Sequence, residues 1–346
     1  MKLFNFSFLA FVLFGLLLAS CGDDDSTERV GEYENGILIF NEGPFAGGSA
    51  TVDYYDRSSD TLSRDVYSSV NDGQVIGSIL QSATVIGDNA YLVVNNSAKI
   101  EVVDAGSMEY RNTITGVFGP RYMVDLGNGN AAVSEWGSDG LSGQVKLINL
   151  SSMTVVDSIA ASGPEQMVVA NGKLYVANSG GFSESNVVTV HNLDLSPETS
   201  ITVGNRTIDM VQDANGDIWV LSGGSFVTND GASLCKISND SAEICIPLPG
   251  FPSDLIIDAD GENIYLVVNG NVNTVNVSNA NVFTTVGEGI LSGTVYGLGY
   301  DGKEDHLYVG TTPDFSSQST TYVLSENGEL VRTLTTGVLT NGFLAR

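Results

Sequence analysis

Ile37-Leu38-Ile39-Phe40-Asn41 is the first of seven related runs in the chain. The others are Tyr91-Leu92-Val93-Val94-Asn95, Ala131-Ala132-Val133-Ser134-Glu135, Leu174-Tyr175-Val176-Ala177-Asn178, Ile218-Trp219-Val220-Leu221-Ser222, Tyr265-Leu266-Val267-Val268-Asn269 and Leu307-Tyr308-Val309-Gly310-Thr311. Each is a short apolar run that ends on a polar residue. The end points are separated by 54, 40, 43, 44, 47 and 42 residues. A period in the forties with room for four short strands belongs to a propeller. The fold expected is therefore all-β, a seven-bladed β-propeller over residues 36–346.

Working outward from these runs, each unit fills in the same way. In the fourth, 165–170 reads as an inner strand and Asn171-Gly172 as a hairpin turn. Lys173–Asn178 is then the second strand, followed by 187–193 and 199–203. The second unit has the same order: 83–86, a turn at Gly87-Asp88-Asn89, then 90–95, 100–103 and 112–115. These pieces are short, β-branched and bounded by turn formers, and no helical period is sustained. The first unit, 37–67, lacks an inner strand. Thr340-Asn341-Gly342-Phe343-Leu344-Ala345 supplies a spare, so the C-terminal strand is expected to complete blade one and remove two sheet edges. The surplus length in the first interval falls at 68–81, expected to cross one face.

The charge balance limits function. Forty-one acidic side chains stand against 14 basic ones, a formal net of -27. Such a surface repels nucleic acid and anionic headgroups. Residence in a salty habitat accounts for it as well as any functional role does. With 42% hydrophobic residues the chain is not disorder-prone.

The N-terminus reads as an address. Met1-Lys2 precedes an almost unbroken apolar run from Leu3 to Leu18, too short to span a bilayer. Residues 1–20 are thus expected to be a signal peptide. Leu18-Ala19-Ser20-Cys21 resembles the lipobox of bacterial lipoproteins, which implies acylation of Cys21 and membrane attachment through that lipid alone. Asp23-Asp24-Asp25 resembles the export signal of surface lipoproteins of the Bacteroidetes, implying the outside of the outer membrane. Residues 21–35 are read as a flexible tether. The two remaining cysteines, Cys235 and Cys245, flank the turn formers 238–242. A hairpin centred on Asp240 would set them opposite each other, giving a disulfide in an oxidising compartment or, alternatively, two buried thiols.

Leu38-Ile39-Phe40-Asn41-Glu42-Gly43-Pro44-Phe45 and Val52-Asp53-Tyr54-Tyr55-Asp56, with the lipobox and acidic start, resemble YncE-like seven-bladed surface lipoproteins of the Bacteroidetes. The opening is similar to that of BtuG-type cobalamin-binding propellers. The likeness covers 36–346 as architecture and about 36–68 as motif. It implies capture of a corrinoid or iron–siderophore for a TonB-dependent outer-membrane transporter, and it carries over no ligand contacts.

Binding residues are expected on the loops between second and third strands and between blades. Phe45, Trp136, Phe182, Phe226 and Phe315 each lie among glycines and serines, a setting that suits a flat or ring-shaped ligand. The alternative is that each ring plugs its own loop. The blade-to-blade loops add Arg121, Tyr122, Arg206 and Tyr296. The two arginines suit carboxylate or phosphate recognition, or else pair with Glu165 or Asp254. No catalytic residue, metal set or cofactor motif is read. His191 and His306 are expected away from the central loops, and convergent acids are not apparent. Glu135 and Asp254 with the recurrent asparagines could hold Ca²⁺, although ordinary loop hydrogen bonding is the favoured account of them. Asp60-Thr61-Leu62 and Asp240-Ser241-Ala242 resemble O-glycosylation sites of the same phylum. A protein- or glycan-binding propeller for adhesion or assembly, and a propeller enzyme such as a lactonase, are the competing functions.

Overall fold

A computed structural model of the protein describes residues 31–45 and 47–346. The segment read as a signal peptide, Cys21 and most of the segment read as a tether lie outside the described residues. Seven four-stranded antiparallel sheets stand around one axis, and their inner strands neighbour one another in a closed ring. The inner strands are Thr340–Ala345, Leu80–Ile86, Pro120–Gly127, Pro164–Ala170, Thr207–Gln212, Ser253–Ile257 and Thr294–Asp301, for blades one to seven in order. Each of the seven recurrent runs is the second strand of its blade. These strands are buried on both faces, which explains why they read as continuous apolar runs rather than as alternation. The core lies between blades: Trp219, Leu221 and Leu234 of blade five, for example, pack on Leu255, Leu266 and Val268 of blade six.

The ring closes where the sequence places its spare strand. Leu38 pairs with Leu344 and Ile39 with Phe343, so blade one takes its inner strand from the C-terminus. Buried polar groups fasten this seam. Asp53 accepts hydrogen bonds from Asn41 Nδ2 at 3.1 Å, from the Gly337 N–H at 3.0 Å and from the Asp65 N–H at 3.0 Å. Thr340 Oγ1 donates to Asn41 Oδ1 at 2.6 Å. Elsewhere on the seam the Arg57 fork holds both oxygens of Asp301 in blade seven at 2.5 and 2.7 Å. An Arg fork on a buried carboxylate fixes both distance and orientation.

Three expectations change. The surplus segment of the first interval does not cross a face. It forms a five-residue helix, Val66–Val70, and buries Val66, Tyr67, Ile76 and Leu80 with Leu38, Val52 and Leu92, so it wedges between blades one and two. The stretch read as tether is docked at Tyr33, whose ring packs edge-on against Tyr54 at 5.0 Å and is buried. An aromatic offers too much apolar area to leave in water, even within a charged run. The outer strand of blade two is Tyr110–Ile114, two residues earlier than read.

Cys235 and Cys245 are register partners across the hairpin of blade five, and their sulfurs are bonded. The bridge closes a loop of about ten residues, which constrains the unfolded chain by about 2–3 kcal/mol. Replacing both cysteines by alanine is expected to lower the urea-unfolding free energy by about that amount. An unchanged midpoint and slope would rule the bridge out as a stabiliser. Deleting residues 338–346 is expected to abolish cooperative melting, or lower its midpoint by more than roughly 10 °C. A truncated chain that melts like the whole would contradict closure by this strand.

Candidate functional site

Each inner strand carries a register shift near the end where the chain enters it, and that of blade three has a second, at Leu126 near its far end. The residues left out of register are Asn341, Gln81, Arg121 with Tyr122, Glu165 with Gln166, Ile208, Asp254 and Tyr296. A β-bulge releases a side chain from the alternation of its strand and re-aims it. All nine of these residues line one cavity of about 470 Å³ on the propeller axis. Seven bulges thus turn a ring of strands into a lined pocket, within the size range of small-molecule sites.

The entry to these strands is also uniform. The residue just before the inner strand has a left-handed backbone in six blades: Ile79, Gly119, Gly163, Arg206, Gly293 and Leu339. Blade six has Pro252 there, whose ring forbids that conformation, and Asp254 adopts it instead, at φ 55°.

Six of the nine expected ligand-binding residues line the cavity: Arg121, Tyr122, Trp136, Arg206, Phe226 and Tyr296. Phe182 and Phe315 stand one layer out, with Phe182 edge-on to Trp136 at 5.6 Å and Phe315 edge-on to Tyr296 at 6.5 Å. Phe45 lines nothing. Phe45, Phe182, Phe226 and Phe315 are 65–77% exposed, so they do not plug their loops. Both arginines lie over rings, Arg121 at 4.7 Å from the Trp136 centroid and Arg206 at 4.0 Å from that of Phe226. The Trp136 indole N–H is buried without an acceptor. Such an orphaned donor is uncommon and calls for an explanation.

The two arginines differ in what holds them. Arg121 Nε donates to Glu165 at 2.8 Å and its Nη1 to Gln81, so this guanidinium is spent inside the protein. Arg206 makes no ion pair among the described residues. Its Nε and Nη2 donate to the carbonyls of Gly224 and Gly223, each at 3.0 Å.

Sequence reasoning named Glu165 and Asp254 as possible partners of the arginines, and Arg121 does pair with Glu165, but it did not bring Glu42 and Asp209 to the site. Glu42, Glu165, Asp209 and Asp254 converge on the cavity, although convergent acids were not expected. Their local contacts are structural. Asp209 accepts the Leu255 N–H at 3.0 Å, and Asp254 accepts the Leu298 N–H at 2.6 Å, each tying its blade to the next. Glu42 accepts from the Tyr296 hydroxyl at 2.7 Å across the seam. Burial raises the pKa of Glu42 and of Glu165, the latter against the pull of Arg121. Burial, then the charge of Asp254, pushes Asp209 well above the usual carboxylate range, and burial pushes Asp254 up to about 7. The signal that could have revealed them was positional: an ionisable residue recurs beside the bulge in blades three to six.

The other candidates lie elsewhere. Glu135 accepts the Phe118 N–H at 2.8 Å and pairs with Lys146 at 3.4 Å, and it does not line the cavity with Asp254. Among the described residues no three His, Cys, Asp or Glu gather in a way that could hold a metal ion. His191 and His306 do not line the cavity. Asp60 is ion-paired with Arg332, and Asp240 bonds Lys173 and Tyr175.

Residues 35–337 match the family described as Domain of unknown function (DUF5074), and the chain belongs to that family. No curated protein matches it. Among solved structures it is similar to a quinonprotein alcohol dehydrogenase-like protein from Bacteroides thetaiotaomicron, at 19% identity and TM-score 0.68, over 90% of this chain and 78% of that one. It is also similar to the periplasmic gluconolactonase PpgL of Pseudomonas aeruginosa, at 13% identity and TM-score 0.67, over 90% and 99% of the two chains. A putative 6-phosphogluconolactonase from Bacteroides fragilis gives 11% identity and TM-score 0.65, over 90% and 98%. At such identities the likeness is one of fold alone.

The buried acids set a pH dependence. The native state holds the Asp254 proton up to about pH 7, whereas a free aspartate releases it near 3.8. Between those values the folded chain binds more protons than the unfolded one, so this group's contribution to stability falls as pH rises. Asp254→Asn is expected to shrink the drop in melting temperature between pH 5 and pH 8 by roughly 2 °C or more. An identical drop in both proteins would contradict a retained proton.

Proposed function

We propose that this DUF5074 propeller is a surface lipoprotein that captures a small, flat or ring-shaped nutrient in its axial cavity and hands it to a TonB-dependent outer-membrane transporter. The observation that carries the reading is the cavity itself: nine bulge residues from all seven blades, crowned by Trp136 and Phe226. Closing a ring requires inner strands, but it does not require each of them to present a polar or aromatic side chain to the axis. Export and lipid anchoring rest on Leu18-Ala19-Ser20-Cys21 and the acidic residues after it. The corrinoid or siderophore class rests on the resemblance of the opening motif.

Two observations favour other readings. Phe45, Leu141, Phe182, Phe226, Val227 and Phe315 are exposed apolar side chains, as a protein- or glycan-binding face would offer. Asp209 and Asp254 in the cavity carry raised pKa values, as catalytic carboxyls do. We favour binding without catalysis because the hydrogen bonds of both carboxyls are those of blade fastening.

A thermal-shift panel of corrinoids, siderophores, haem and glycans tests the reading. A ligand at a hundred times its Kd stabilises by about 2.7 kcal/mol, and at least one small ligand of the panel is expected to do so. Trp136→Ala should then weaken its binding by roughly tenfold or more. Arg121→Ala is a poor probe, because it would strand the buried Glu165 and unfold the site. Silence across the panel, or undiminished binding in Trp136→Ala, would overturn small-ligand capture in this cavity.

A further inference from the structure

We propose that Arg206 is the docking point for an oxyanion, carboxylate or phosphate, on the ligand that the axial cavity takes, with the ligand's flat portion against Trp136 and Phe226. The proposal rests on the capture reading and specifies its chemistry. Three observations carry it.

Arg206 is a cation of the cavity without a carboxylate partner among the described residues, in a chain of net charge -27. Acids are plentiful, so a guanidinium left unpaired at a binding face stands out. Glu165 is engaged by Arg121, and Glu184 accepts the Phe226 N–H. Both act on Arg206 through space only.

The guanidinium is also held ready. Two backbone carbonyls fix Nε and Nη2, and the Phe226 ring fixes the plane at 4.0 Å, while Nη1 has no acceptor among the described residues. A planar fork immobilised in this way loses little entropy when an oxyanion arrives. Gly223 makes room for it, since a Cβ there would collide with Nη2.

The backbone of Arg206 is left-handed, with φ 57°, at the strand-entry position that Gly119, Gly163 and Gly293 fill in blades three, four and seven. Ile79 and Leu339 hold the same conformation in blades two and one, so a side chain is tolerated there, although glycine suits it better.

Finally, the acids nearby are subdued. Burial pushes Asp209 well above the usual carboxylate range and Asp254 up to about 7, which lowers the negative charge an entering anion would meet.

Full-length protein titrated with 2-naphthoate, 2-naphthyl phosphate and the neutral 2-naphthylmethanol, followed by calorimetry, tests the proposal. At least one anion is expected to bind roughly tenfold more tightly than the alcohol, and the better of the two identifies the oxyanion. In Arg206→Gly, whose backbone suits the position, the ratio of anion to alcohol affinity should fall to about one. Gly223→Ala, which keeps the charge but displaces the fork, should weaken the preference too. Anions that bind no better than the alcohol, or a preference that survives Arg206→Gly, would overturn anion docking and leave capture standing. If no naphthyl compound binds but a member of the earlier panel does, docking again falls and capture stands. If neither set binds, both fall.

Discussion

The antiparallel pairing of Thr340–Ala345 with Gly36–Asn41 holds the ring together. Without it, blade one would lack its inner strand, blade seven would lose that strand as its neighbour, and two sheet edges would face water. The seam is therefore reinforced beyond its ladder. Asp53, Asn41, Thr340 and the Gly337 amide form one buried hydrogen-bonded cluster, and Arg57 locks on Asp301 elsewhere along the seam. Such a network is worth having only when fully satisfied, and here each member has a partner. The same strand supplies Asn341, whose side-chain amide donates to the carbonyls of Leu80 and Gln81 and to Glu42. Closure and the cavity wall are thus built from the same residues.

From that ring the site follows by one repeated device. Seven bulges near the entry end of the inner strands re-aim side chains toward the axis. The repeat is geometric, and the residues occupying it vary: Asn341, Gln81, Arg121, Glu165, Ile208, Asp254 and Tyr296. A fixed frame with variable occupants lets one scaffold present many surfaces. It also explains why structural neighbours bearing enzyme names and this chain can share a fold without sharing chemistry.

The fold was legible because a doubly buried second strand leaves a run of apolar residues that recurs at every blade, as in Leu174–Ala177 and Tyr265–Val268. The disulfide partners were legible because the turn formers at 238–242 fix the register of their hairpin. The site was only partly so. Loop position was enough to bring out Trp136, Phe226 and the two arginines. It could not separate Arg121, spent on Glu165, from Arg206, because pairing is decided by blades far apart in sequence. Asp209 escaped notice because a carboxylate in a strand next to apolar residues reads as an ordinary exposed position, and Asp254 was read only as an arginine partner or calcium ligand because its meeting with Asp209 depends on two blades coming together. Tyr33 and the wedge at Val66–Leu80 were misplaced for a similar reason: their burial depends on a gap between two blades that exists only once both are formed.

Hydrogen exchange of the whole protein, with and without whichever compound stabilises it most, tests axial capture most directly. The account predicts added protection at 118–123, 135–137, 205–209, 223–227 and 294–298, the segments that surround the axial cavity. The outer strands of the blades should exchange as before. Protection confined to the distinct surface around Asp88, Asp104 and Arg111, with none at the axial segments, would contradict it.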